Sequence, residues 1–97
     1  MLKHIVMWNI KENIDKGETA KQIKVLLEGL KEKIVEIVEI EVGINYNDSE
    51  AAHDVVLIST FEKQEDLESY IVNPHHKEAG KYVSTVVKDR VVVDYEV

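Results

Sequence analysis

Hydrophobic positions from Lys3 to Ile10, divided at period two, read as a β-strand. His4, Val6, Trp8 and Ile10 fall on one face, and Ile5, Met7 and Asn9 on the other. Both faces are largely apolar, which predicts that both are covered. After a turn-rich stretch from Asn13 to Gly17 the period changes. From Glu18 to Lys33, Ala20, Ile23, Leu27, Leu30 and Ile34 recur every three or four residues, with Leu26 beside them. This is one apolar stripe on a helix. Lys21, Lys24, Glu28, Lys31 and Glu32 occupy the other side, and Gly29 is an unusual helix residue that either permits close packing or carries no meaning.

Period two returns from Glu36 to Asn45. Val38, Ile40, Val42 and Ile44 share one face, and Ile37, Glu39, Glu41 and Gly43 the other. A polar turn over 46–52 leads to a third strand from His53 to Phe61, where Val55, Leu57 and Phe61 oppose Val56, Ile58 and Thr60. Gln64 to Val72 reads as a short helix presenting Leu67, Tyr70 and Ile71. A second helix starts at Asn73-Pro74 and runs to about Lys88. Arg90 to Val97 is the last strand, with Val91, Val93, Tyr95 and Val97 on one face.

The order strand, helix, strand, strand, helix pair, strand predicts a ferredoxin-like βαββαβ fold of the α+β class. Its four-stranded antiparallel sheet carries the helices on one face. The opposite face then holds apolar residues that nothing in one chain covers, and such a face marks an interface. A second copy packed sheet to sheet, forming a dimeric α+β barrel, is the economical solution.

With 97 residues the chain is expected to form one domain, residues 1–97. A net charge of −7 speaks against nucleic acid and anionic membrane surfaces as partners. The absence of cysteine excludes disulfides and thiolate metal sites and makes a cytoplasmic location the default expectation. No signal peptide and no bilayer-spanning run is expected.

The candidate chemistry gathers around Tyr70-Ile71-Val72-Asn73-Pro74-His75-His76. Asn73 suits a helix N-cap and Pro74 the first helical position, which places both histidines in the first turn. Unpaired N–H groups there disfavour imidazolium, so such a histidine stays neutral, the state a general base needs. On the helix wheel His76 heads the inward stripe through Gly80, Val83 and Val87, whereas His75 lies nearer the border. Tyr70 lies on the apolar side of its helix, where its hydroxyl either packs against a hydrogen-bond partner or stabilises an oxyanion. His4 interrupts an apolar strand face, either as a second polar group of a pocket or as a residue at a wet sheet end. The plainer alternative for His76 is a core-edge histidine bonded to a carbonyl, and His53 reads as solvated. Adjacent His75 and His76 diverge by about 100° and do not share one ion, so no metal site is expected. No phosphate loop, nucleophile elbow or other cofactor motif is present, so no cofactor is expected.

In their order and spacing, several segments together resemble the stress-responsive A/B barrel (Dabb) family almost end to end. They are Lys3-His4-Ile5-Val6, Val42-Gly43, the Asp54 to Phe61 strand, Tyr70 to His76 and Val93-Asp94-Tyr95. The resemblance implies a ferredoxin-like unit whose dimer closes a barrel. The family includes a plant polyketide cyclase that makes olivetolic acid by an aldol closure in a cavity between sheet and helices. By that likeness His76, Tyr70 and His4 are the catalytic candidates: His76 abstracts a proton beside a carbonyl, Tyr70 donates to the oxyanion and His4 orients substrate. The implied pocket is lined by Val6, Trp8, Ile23, Leu27, Leu30 and Val83. The plant His-Pro-x-His pattern is here Asn73-Pro74-His75-His76, and the aromatic residues of its first helix are here Ile23 and Leu27, so the cavity is shaped for another ligand. Some plant relatives bind a divalent ion through carbonyls after the first helix, a region equivalent to Lys31 to Ile37. The expected partners are a second copy and a small apolar or aromatic acid. The alternatives are a non-catalytic stress-related ligand-binding or structural dimer and a monooxygenase-like dimeric barrel.

Overall fold

A computed structural model describes residues 1–97. Strand β1 (Leu2–Ile10) is followed by helix α1 (Lys16–Glu28), which tightens into a 3-10 turn over Gly29–Glu32. Strands β2 (Glu39–Ile44) and β3 (Val55–Phe61) come next, then helices α2 (Gln64–Val72) and α3 (Pro74–Val86) and strand β4 (Val87–Glu96). All strand pairs are antiparallel, in the order β2-β3-β1-β4. This is the ferredoxin-like arrangement, with β1 and β3 central.

Alternation places Leu2, His4, Val6, Trp8 and Ile10 of β1 under the helices, and all five are buried. Register sets Val55, Leu57, Ser59 and Phe61 beside them on β3. Ala20, Ile23 and Leu27 of α1, Leu67 and Tyr70 of α2, and Ala79 and Val83 of α3 close the core from above. The opposite sheet face carries Ile5, Met7, Val56, Ile58, Val91, Val93 and Tyr95. Met7, Val91, Val93 and Tyr95 are exposed, so within one chain β1 is covered on one face only.

The element boundaries differ from the periodic reading at five places. Helix α1 starts at Lys16 because the Asp15 carboxylate caps it, accepting from the Glu18 N–H at 3.0 Å. Its α-geometry ends at Gly29, where an added Cβ would meet nothing within 4 Å, so close packing does not explain this glycine. Strand β2 starts at Glu39 rather than Glu36. The preceding stretch turns, with the Ile37 N–H donating to the Ile34 carbonyl, and Ile37 drops into the core instead of sharing a face with Glu39. Strand β3 starts at Val55 because Asp54 is held irregularly: its N–H donates to the Trp8 carbonyl and its carboxylate accepts from the Ile10 N–H. Helix α3 stops at Val86, since Val87 and Lys88 already pair with Ile10 and Asn9 of β1. Ile71, expected on the apolar side of α2, is exposed.

Two features bear on the edges of the sheet. On β2, the Val42 N–H donates to Glu28 Oε2 at 3.0 Å, and Lys24 Nζ donates to the Val42 carbonyl at 2.6 Å. Lys24 and Glu28 also pair with each other at 2.8 Å. On β4 a bulge sets Asp89 and Arg90 opposite the single residue Trp8 of β1, with Asp89 in the left-handed region at φ 55°. The Asn9 side chain donates to the Asp89 carboxylate at 3.0 Å and fixes the bulge.

Candidate functional site

The α2–α3 junction is built as a cap. The Asn73 side chain accepts from the His75 N–H at 2.8 Å, and Pro74 opens α3. This geometry turns His76 back over α2, where its Nδ1 lies 3.1 Å from the Ile71 carbonyl. A carbonyl only accepts, so Nδ1 carries the proton and Nε2 is left as the basic atom. Burial holds the His76 pKa below 6.5, working against the Ile71 carbonyl, which favours the cation; the nearby His4 ring and the Arg90 guanidinium lower it further. The imidazole is therefore neutral at neutral pH.

Tyr70 sits between the histidines. Its ring centroid is 4.4 Å from that of His76, 5.1 Å from Phe61 and 6.3 Å from His4, edge-on to the last. Its hydroxyl is buried and has no hydrogen-bond partner. Burial pushes its pKa up to about 12, so it stays a donor. His4 is buried on β1, and register sets it opposite Asp94 on β4. Its Nδ1 lies 2.5 Å from Asp94 Oδ1, a contact that fixes the ring and its tautomer.

These three side chains line one cavity of about 330 Å³ between the sheet and α3. Val6, Trp8, Leu27 and Val83 line it as well. Ile23 and Leu30 do not. They are fully packed in the solid core between α1 and the sheet, because the α1 stripe is wider than the part that reaches the cavity. His75 is exposed, and His53 is partly buried in the loop before β3. No three His, Asp or Glu side chains converge as metal ligands. In the loop after α1, the Leu30 and Ile34 carbonyls already accept backbone N–H groups.

The periodic reading missed the polar rim formed by Ser84, Lys88, Asp89 and Arg90, and it gave Asp94 no role of its own. The signal available was the charged run Lys88-Asp89-Arg90 between apolar stretches. It marks a junction that faces water on one side and the cavity on the other. Asp94 becomes visible only once the β1–β4 register is known. Gly80 also lines the cavity, and a Cβ there would meet nothing within 4 Å.

A helix-backed antiparallel sheet with a cavity under its last helix defines a ferredoxin-like α+β protein. The chain belongs to the stress responsive A/B barrel domain family, whose model matches residues 2–97. It is similar to a dimeric protein of unknown function and ferredoxin-like fold from Bacteroides fragilis. That protein is 33% identical, with a TM-score of 0.89 over 99% of this chain and 95% of that chain. The hydroxynitrile lyase of Passiflora edulis shares the fold at 21% identity, with a TM-score of 0.86 over 99% of this chain and 92% of that chain. An antibiotic biosynthesis monooxygenase shares it at 18% identity, with a TM-score of 0.75 over 100% of this chain and 98% of that chain. No curated protein matches the chain. No helix is long and apolar enough to cross a membrane.

Proposed function

We propose that the protein is a homodimer, joined through its open sheet face, that performs cofactor-free proton transfer on a small carbonyl compound, as a polyketide cyclase does. The observation that carries this reading is the buried, unpartnered Tyr70 hydroxyl, on a ring whose centroid lies 4.4 Å from that of a neutral histidine. A hydroxyl left without a partner costs stability, and a binding site is where such a cost is retained. His76 Nε2 takes a proton from the carbon beside the carbonyl. Negative charge then develops on the carbonyl oxygen, and the Tyr70 O–H donates to it. His4, held by Asp94, orients the substrate from the opposite wall. The bound carbanion equivalent is then placed to attack a second carbonyl of the same molecule, which is the aldol step of a ring closure.

The dimer rests on two supports: the exposed apolar residues of the open face and the dimeric state of the Bacteroides fragilis relative. The catalytic reading is tested by proton NMR in deuterated water, following exchange at the CH2 beside the carbonyl of phenylacetone and of phenylpyruvate. Wild type is expected to exchange at least one of them faster than His76→Gln and Tyr70→Phe do. Rates equal to those of buffer for both compounds refute it.

A further inference from the structure

The rim of the cavity carries three charged groups on β4, and their partners differ. Lys88 pairs with Glu12. Asp89 accepts from Asn9. Arg90, the sole arginine of the chain, lines the cavity and takes part in no ion pair or side-chain hydrogen bond. The bulge puts it there. Two β4 residues opposite one β1 residue reset the alternation, so that Arg90 follows Asp89 on the helix side of the sheet. Its charge reaches the far wall, where it adds to the effects that keep His76 neutral. A free guanidinium is unusual on a chain of net charge −7, where carboxylates outnumber cations.

We infer that Arg90 is the anion anchor of this site and that the ligand is a keto acid: an apolar body, a carbonyl near Tyr70 and His76, and a carboxylate at Arg90. The inference rests on the carbonyl reading above for the position of the ketone. The anchor itself needs only the cavity and the unpaired guanidinium. The planar fork matches a carboxylate with two parallel N–H donors, which a lysine does not provide. Val6, Trp8, Leu27, Leu57 and Val83 supply the apolar walls for the body of the ligand. Arg90 lies on the helix side of the sheet, away from the face proposed for dimerisation.

The test compares phenylpyruvate with phenylacetone, which keeps the ring, the CH2 and the ketone but replaces the carboxylate by methyl. Dissociation constants are read by heteronuclear NMR titration of wild type, Arg90→Gln and Arg90→Lys. Arg90 is exposed, so both variants keep the fold. Wild type is expected to prefer phenylpyruvate by about tenfold or more, as a charge-assisted pair gives. The preference should vanish in Arg90→Gln and survive only in part in Arg90→Lys. Equal affinity of wild type for the two compounds, no affinity for phenylpyruvate, or a preference unchanged in Arg90→Gln overturns the inference. The two readings fail separately. Carboxylate preference without His76-dependent exchange removes only the proton-transfer chemistry, and exchange without preference removes only the anchor.

Discussion

Replacing Tyr70 by phenylalanine should make the protein more stable and less active. The ring is fully buried and packs against Phe61 and His76, and phenylalanine preserves those contacts. Only the hydroxyl is removed, and it has no partner to lose. A buried polar group left unsatisfied carries a penalty of roughly 1–3 kcal/mol, which the substitution relieves. For a domain of this size each kcal/mol shifts the melting temperature by about 4–8 °C. Tyr70→Phe should therefore melt about 4–8 °C higher at the least, measured by calorimetry at one fixed protomer concentration. The same variant should lose the exchange activity that depends on an oxyanion donor. A melting temperature that stays level or falls refutes the reasoning, because it means that the hydroxyl has a partner in solution and is not held ready for a ligand.

Four other outcomes are expected. Burial lowers the His76 pKa below its unfolded value of 6.5, so its stabilising contribution is full above that value and is lost as pH falls through the folded value. Urea unfolding should show a loss on acidification that is smaller in His76→Gln. Gly80→Ala should stabilise by about 0.5–1 kcal/mol in chemical denaturation, since a helix-interior glycine is disfavoured and the added Cβ points into open space; a destabilised variant contradicts the cavity geometry. Asp94→Asn should release His4 from its single tautomer, visible in nitrogen NMR of the ring, at a stability loss of about 1 kcal/mol or less because Asp94 is 43% exposed. Sedimentation should give a particle of twice 11.1 kDa, and Val93→Glu on the open face should shift it to monomer; a monomeric wild type removes the dimer.

The fold was legible because its elements obey simple periods. Leu2 to Ile10 divides into two faces at period two, and the stripe from Ala20 to Leu30 keeps helical spacing, so the strand, and the helix with its 3-10 turn counted in, were placed within two residues. The misplaced boundaries lie where long-range pairing overrides local preference. Val87 and Lys88 read as helix but are recruited into β4 by Ile10 and Asn9, and Ile37 leaves its strand face for the core. The Asn73-Pro74 cap was readable from residue chemistry alone, and with it the positions of Tyr70 and His76. What periodicity does not carry is which parts of a stripe meet a void. Ile23 and Leu27 are one helical turn apart, yet only Leu27 reaches the cavity. Asp94 and Arg90 depend on a register and a bulge between strands some ninety residues apart, which no local pattern encodes.

The clasp of Lys24 and Glu28 on Val42 limits how copies of this protein combine. A sheet that grows by adding strands needs two open borders, one to receive and one to offer. Here helix α1 occupies the middle of the β2 border with a side-chain donor and a side-chain acceptor, so an incoming strand finds the central backbone groups already taken. Only the β4 border remains free along its length. A chain with one usable border can form a closed pair but cannot propagate into a filament.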